Sequence, residues 1–153
     1  MGLTRIGEVH SYIIDENEII PVPGRLLYRG IDINDIVDGF IKEDRFGFEE
    51  TCYLLLFGNL PNREELEEFK NLLAGRQKLP DDFVRDVILR IPSRNIMNVM
   101  ARSVLALYSY DERADDTSLK NTVRQCLSLI ACFPLLAVYG YQAYRHHYQN
   151  RSM

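Results

Sequence analysis

The segment GRLLYRGIDINDIVDGF, residues 24–40, contains the point at which the chain changes from strand-like to helical patterning. Its first part, ending at Tyr28, is short and β-prone, whereas the apolar residues after Gly30 recur at helical spacing. Asp32 or Asn34 can serve as the N-cap of that helix. The change predicts a small β-ribbon in residues 1–30 and a helical part in residues 31–153. We therefore expect an all-α, multi-helical fold with a small N-terminal ribbon.

Two further β-prone runs lie upstream of this point, at residues 10–14 and 18–20, with a turn at residues 15–17. Pro21, Pro23 and Gly24 are expected to interrupt the strand that follows. These runs predict a hairpin or ribbon that is too small to be stable alone.

Downstream, the pattern predicts five more helices. The second runs from Phe48 to Phe57 and stops at Gly58. The third is capped by Asn62, with Glu65 at the answering position of a capping box, and ends at Gly75. A fourth opens at Pro80 and stops at Pro92, with these residues facing inward: Phe83, Val84, Val87, Ile88 and Ile91.

Two longer helices complete the pattern. One is predicted from Asn95 to Tyr108 and the other from Ser118 to Tyr148, with a kink expected at Pro134. The apolar residues of the last helix point in every direction around its axis: Leu127, Leu129, Ile130, Phe133, Leu135, Leu136, Val138 and Tyr139. No single core face can cover such a set, which predicts self-association.

Composition limits the classes of function. The 153 residues are 46% hydrophobic and 26% charged, as in an ordinary globular domain, and the net charge of −4 disfavours nucleic acid or anionic lipid as a partner. The apolar run of residues 130–141 is too short to cross a bilayer. The N-terminus has no signal-like apolar core, and the three cysteines have no CxxC spacing. We expect free thiols and a cytoplasmic location.

A search for catalytic groups finds no convincing constellation. No GxxxxGK[ST], GxGxxG or GxSxG motif is present. The acidic residues 64–68 and 115–116 fit a solvated helix face and a loop, and His10 fits the surface of a strand. His146 and His147 lie among tyrosines and arginines, a pattern that can bind single-stranded nucleic acid, but the tyrosine spacing favours a packed helix. No catalytic, cofactor-binding or metal-binding residue is predicted.

Three stretches resemble the opening of the citrate synthase family when they are taken in order. The first is GRLLYRGIDI at residues 24–33, and the second is FEETCYLLLFGNLP at residues 48–61. The third combines NIM at residues 95–97 with LIA at residues 129–131 and the FP that follows. Where family members generally have HPM, this chain has NIM. The chain is identified as the amino-terminal part of such an enzyme, about its first third.

The resemblance carries implications for activity. Citrate synthases condense acetyl-CoA with oxaloacetate, using an aspartate to remove a methyl proton and two histidines to stabilise the enol and polarise the ketone. The family's EHGGGN and GHGH motifs lie beyond the part represented here. The resemblance therefore implies acetyl-CoA as the substrate of the whole enzyme, with no cofactor held by this chain and no condensation by it alone.

The resemblance also has implications for the partners of the chain, and two other interpretations of its function remain. Citrate synthases are dimers, and the resemblance implies a homodimer through the helices from Asn95 to Tyr108 and from Ser118 to Tyr148, with neither nucleic acid nor membrane as a partner. Two alternatives stay open. One is a fragment of a 2-methylcitrate synthase, which uses propionyl-CoA. The other is a stand-alone helical dimerisation module without catalysis.

Overall fold

The computed structural model of the chain describes residues 4–152. The chain divides into two compact units, one ending at Lys70 and the other beginning at Asn71. Met1 to Leu3 and Met153 lie outside the described residues. The expectation that the chain carries no secretion signal rests partly on the first three.

The first unit opens with a three-stranded antiparallel sheet in the order β1-β2-β3. The strands are β1 (Gly7–Asp15), β2 (Glu18–Tyr28) and β3 (Ile31–Asp32). Glu16 and Asn17 form the turn between β1 and β2, and both have positive φ, at 46° and 68°. This is the type I′ geometry whose twist matches a hairpin. The predicted limit of residue 30 for the strands is slightly wrong, because β3 ends at Asp32.

The proline-rich stretch does not interrupt β2, contrary to expectation. The strand passes through Pro21, Pro23 and Gly24, and Pro21 lies opposite Tyr12. The pairing register shifts between His10 and Tyr12, which marks a bulge. A proline removes only its own N–H, and an irregular ribbon with open edges tolerates that loss.

Three helices follow, and their ends agree with the sequence pattern. They are α1 (Ile33–Lys42), α2 (Phe48–Phe57) and α3 (Arg63–Ala74). The Asp32 carboxylate accepts the Asn34 N–H at 3.0 Å, so Asp32 is the N-cap of α1. Gly58 ends α2 with a φ of 94°, a conformation that favours glycine.

The predicted capping box of α3 is confirmed. The Glu65 N–H donates to Asn62 Oδ1 at 3.0 Å, and the Asn62 N–H donates to Glu65 Oε2 at 2.8 Å. These reciprocal bonds satisfy two backbone donors that the helix itself leaves free. Aromatic packing then joins α2 and α3, with the Phe69 ring 5.4 Å from Tyr53 and 6.0 Å from Phe57.

In the second unit, the predicted fourth α-helix is instead a π-helical turn, Val84–Leu89. Asp82 has a φ of 60°, so the predicted opening turn is not helical at that residue. Phe83 and Ile88 are fully buried, as expected, whereas Ile91 is 55% exposed and does not face inward. Tertiary packing of Phe83 and Ile88 has therefore decided the local geometry.

The two long helices are α4 (Ile96–Tyr108) and α5 (Leu119–Gln149), each within a few residues of its predicted bounds. Asn95 and Ser118 cap them, accepting the N–H groups of Asn98 and Asn121. Helix α5 continues through Pro134. The core of this unit consists of Phe83, Ile88, Val99, Leu136 and Ala143.

Gly140 lies where α5 meets α4. A Cβ atom at this position would come within 3.2 Å of Val99 Cγ1 and 3.9 Å of Ile96 Cγ2. The absent side chain therefore lets the two helices approach closely, and at this contact Val99 is only 1% exposed.

The mainly helical fold with a small N-terminal sheet is as predicted.

Helix α5 is long and apolar enough, by length and composition, to cross a membrane. The core helix of a globular protein meets the same criteria, and 33% of its most apolar window is buried within the chain. Leu127, Ala131, Leu136 and Ala143 are among its buried residues. The membrane criterion is therefore weak support for a spanning helix.

Candidate functional site

The three histidines are held in local contacts. His10 Nε2 lies 2.5 Å from Glu8 Oε1 on the same strand. His146 Nδ1 lies 3.1 Å from the Arg151 carbonyl oxygen at the end of α5. The His147 ring contacts Tyr148 edge-on, with ring centroids 4.7 Å apart. None of these contacts forms a histidine–nucleophile or histidine–carboxylate pair within a cleft.

Several acidic residues of the 64–68 run and both residues 115 and 116 make local contacts. Glu65 belongs to the capping box of α3, and Glu67 accepts from Lys70 Nζ at 2.8 Å. Asp116 accepts the Ser118 N–H at 2.9 Å, just before α5. Asp115 accepts the Tyr108 hydroxyl at 2.9 Å, and this hydrogen bond, together with the carboxylate charge, raises the pKa of Tyr108. Each of these four carboxylates accepts a hydrogen bond from a nearby donor, which supports a structural role for it.

All three cysteines are free thiols. Burial raises the pKa of the Cys52 thiol and of the Cys132 thiol, so both favour the protonated, unreactive form. Across residues 4–152, no three His, Cys, Asp or Glu side chains come close enough together to hold a metal ion.

The tyrosine and arginine pattern near the end of α5 forms a packed stripe. Tyr141, Tyr144 and Tyr148 follow one another with ring centroids 6.3 and 5.7 Å apart. The Arg94 guanidinium lies 4.9 Å from the Tyr148 ring centroid, and Tyr148 donates to the Pro92 carbonyl at 3.3 Å. Tyr144 and Tyr148 are half-buried and make intramolecular contacts, in agreement with the structural interpretation, whereas Tyr141 contacts Tyr144 but is 50% exposed.

A groove of about 550 Å³ lies in the second unit and has both apolar and charged residues in its lining. It lies between the segment around Lys78, the end of α4 and the first half of α5. Val104, Leu107 and Leu129 supply apolar walls, and Cys132 contributes its thiol. We call this the α4–α5 groove.

Charged side chains line one part of the α4–α5 groove. Arg76, Lys78 and Arg124 are cationic, and Asp111 is anionic. The Arg124 guanidinium holds the pKa of the Asp111 carboxyl below its ordinary value. Gln125 Nε2 also donates to Asp111, at 3.2 Å. The groove can bind a ligand by apolar and ionic contact, but it offers no general base for proton abstraction.

Sequence reasoning missed the α4–α5 groove. Its charged residues lie in separate segments, and Asp111 and Arg124 are 13 residues apart in the chain. The available signal was limited to an apolar helix flanked by Arg124, together with a cationic segment before Pro80. Neither observation shows that the two segments meet.

The chain is similar to a known protein family and to individual proteins of that family. A family model described as "Citrate synthase, C-terminal domain" matches residues 2–153. The chain is 31% identical over 118 residues to the 2-methylcitrate synthase of Shewanella oneidensis, covering 76% of this chain and 29% of that protein. It is 37% identical over 94 residues to the citrate synthase of Haloferax volcanii, covering 60% of this chain and 23% of that one.

Solved structures show the same fold. Citrate synthase from Thermoplasma acidophilum, in a ternary complex with carboxymethyl coenzyme A and oxaloacetate, matches with a TM-score of 0.74 and 20% identity. The match covers 95% of this chain and 34% of that one. The chain thus spans less than a third of the curated relatives named above and about a third of this structure. Because the family model is described as the C-terminal domain, placement in the amino-terminal part stays a prediction from motif order.

Proposed function

Because the chain belongs to the citrate synthase family, we propose that it is the amino-terminal part of an enzyme that condenses acetyl-CoA with oxaloacetate to citrate in the tricarboxylic acid cycle. The match over residues 2–153 carries this proposal. The order of the three motifs around Tyr28, Phe57 and Met97 supports the amino-terminal placement. Citrate synthases among the relatives, including that of Haloferax volcanii, support the reaction class.

We propose that this chain alone is inactive. Condensation needs a base for the methyl proton and donors for the ketone and enol oxygens. The three histidines have local partners, and the carboxylates of Asp111, Asp115 and Asp116 accept hydrogen bonds from nearby donors. The groups that bind acetyl-CoA and oxaloacetate therefore belong, in this proposal, to the remainder of the enzyme.

A second acyl donor has a specific observation in its favour. The 2-methylcitrate synthase of Shewanella oneidensis is 31% identical over 76% of this chain. Propionyl-CoA differs from acetyl-CoA by one methylene, and a single methylene in a pocket changes selectivity by about 1–3 kcal/mol. Few contacts are enough to decide between the two donors, and none has been located in this chain.

We also propose that the chain forms a homodimer through α4 and α5. Large apolar side chains on both helices are exposed, and a second copy would remove them from water: Met97, Leu105, Phe133, Val138, Tyr139 and Tyr141. The same surface supports the alternative of a dimerisation module without catalysis. We propose in addition that the protein is cytoplasmic and that neither nucleic acid nor a membrane is its partner.

The test is oxaloacetate-dependent release of free coenzyme A, with acetyl-CoA and propionyl-CoA as alternative donors. It compares this chain with the product of the complete reading frame of its gene. We expect no release by this chain, and release by the complete product with a higher kcat/KM for acetyl-CoA.

Three outcomes would contradict parts of the proposal. Release by this chain that survives repurification would disprove its inactivity. A higher kcat/KM for propionyl-CoA would replace the acetyl donor. A reading frame that ends at Met153 and yields a stable dimer would favour the dimerisation module.

A further inference from the structure

The α4–α5 groove has an excess of positive charge although the chain as a whole has a net charge of −4. Three cationic side chains line it against one carboxylate, that of Asp111. Arg124 Nη2 lies 2.6 Å from Asp111 Oδ2, so this pair is mutually neutralised. Two cations, Arg76 and Lys78, remain to set the local charge.

Neither remaining cation is neutralised within the described part of the chain. The Arg76 guanidinium donates to the Leu72 carbonyl oxygen at 3.2 Å. Among residues 4–152, no carboxylate lies within ion-pair distance of Arg76 or Lys78. Two cations that line one groove attract an anionic group, and the attraction is local because salt screens distant charges.

The backbone of these two cations is tied to α5. The Cys132 thiol donates to the Lys78 carbonyl oxygen at 3.2 Å and approaches that of Arg76 at 3.7 Å. Cys132 is only 6% exposed. The cations are thus presented from a segment that is held against the groove, which lowers the entropy lost when a ligand is bound.

Three apolar residues of the lining are suited to contact with a hydrocarbon chain. Val104, Leu107 and Leu129 are half-buried along the groove. Its volume of about 550 Å³ lies in the range of small-molecule sites. An apolar body placed here would cover these side chains while its charged end reached Arg76 and Lys78.

We propose that the α4–α5 groove binds an amphipathic carboxylate, with a medium-length hydrocarbon chain along Leu107 and Leu129 and its carboxylate at Arg76 and Lys78. Charge complementarity identifies the occupant. A neutral apolar ligand leaves both cations without a partner, and a small anion without a tail leaves the apolar walls wet. This site is separate from the condensation reaction proposed above.

The test is a titration with octanoate and, in parallel, 1-octanol, followed by methyl NMR and calorimetry. We expect octanoate to shift the methyl signals of Leu107 and Leu129 and to leave Leu54, in the other unit, unchanged. Lys78→Gln and Arg76→Gln should each weaken octanoate binding about 3-fold, and the double variant about 10-fold. Octanol should bind more weakly, and its affinity should not change in these variants.

Lys120→Gln is the matched control, since Lys120 is an exposed lysine on α5 that does not line the groove. Its octanoate affinity should equal that of the wild type, and circular dichroism should show that all variants are folded. Equal binding of octanoate and octanol would overturn the proposal. So would an unchanged octanoate affinity in the folded double variant, or the absence of shifts at Leu107 and Leu129.

Discussion

Arg124 Nη2 donates to both carboxylate oxygens of Asp111, at 2.8 and 2.6 Å. This pair joins the connection after α4 to the first half of α5. Arg124 Nε also donates to Asn121 Oδ1 at 2.7 Å, and Asn121 Nδ2 donates to the carbonyl oxygens of Arg113 and Asp116. Side chains of α5 therefore bind three residues of this connection, which contains no helix or strand: Asp111, Arg113 and Asp116.

The Asp111 carboxyl makes stability dependent on pH. Its pKa is lowered from 3.8 by the Arg124 hydrogen bonds, so its stabilising contribution is complete above the unfolded-state pKa and disappears as the pH falls through the folded-state pKa. Asp111→Asn should unfold at lower urea concentration than the wild type at about pH 6, and this difference should shrink at about pH 3.

Asp81→Asn is the control for that measurement, because Asp81 is exposed and makes no ion pair or hydrogen bond with the described residues 4–152. It should show little difference from the wild type at either pH. A difference for Asp111→Asn that persists unchanged at the lower pH would show that ionisation of Asp111 is not the cause.

Leu136 is a core residue, with 0% exposure. Leu136→Ala should lower the free energy of unfolding by about 2–5 kcal/mol, because it removes buried methyl groups and leaves a cavity. Val138→Ala, two residues along the same helix at a site that is 57% exposed, should change it by less than about 0.5 kcal/mol. Urea unfolding of both variants measures the two changes in free energy. Equal losses of stability in Leu136→Ala and Val138→Ala would contradict the burial of Leu136 as the cause.

Self-association is to be tested on exposed residues, not at Leu136, where a charge would disrupt the core. Val138 and Leu105 are 57% and 75% exposed. If α4 and α5 form the dimer, Val138→Glu and Leu105→Glu should shift the chain towards monomer at tens of micromolar, since each places a charge in an apolar interface. Sedimentation velocity measures the change in mass.

Ile41→Glu is the control for association, because Ile41 is 66% exposed on α1. It should leave the association constant unchanged. A wild-type chain that is monomeric at this concentration would contradict the dimer, and so would an effect of Ile41→Glu equal to that of Val138→Glu.

Two helical glycines should respond in opposite directions. Gly140→Leu should cost about 1–3 kcal/mol, because the added side chain meets Val99 at the α4–α5 contact. Gly39→Ala in α1 should stabilise by up to about 1 kcal/mol, since a Cβ there meets nothing within 4 Å and alanine is the better helix former. Thermal unfolding of both variants provides the measurement, and destabilisation by Gly39→Ala would contradict the open space around it.

Prediction of the fold from sequence succeeded where local chemistry is sufficient. The capping box of Asn62 and Glu65, the glycine stop at Gly58 and the N-caps of α4 and α5 are signals contained within a few residues. It failed where a local signal was ambiguous. Pro21 and Pro23 do not break β2, and the segment Val84–Leu89 forms a π-helical turn, because strand pairing and the burial of Ile88 outweigh local preference.

The candidate site was the harder problem. Apolar residues around the whole of α5 predict self-association, which stays a prediction, and the pattern could not tell that Leu136 is buried and Val138 exposed. The α4–α5 groove was not predicted at all. Its charge depends on which of Arg76, Lys78 and Arg124 finds a carboxylate, and that is settled by distances between residues far apart in the chain.

The sequence by itself thus determined the family, the order of the elements and most helix ends, because caps, stops and periodic apolar residues act over one or two turns. The tertiary structure alone decided which face of α5 is covered and that α4 approaches α5 closely at Gly140. It also decided that Asp111 neutralises Arg124, while Arg76 and Lys78 have no ion-pair partner among the described residues. These outcomes depend on contacts between distant segments, whose energies local patterning does not contain.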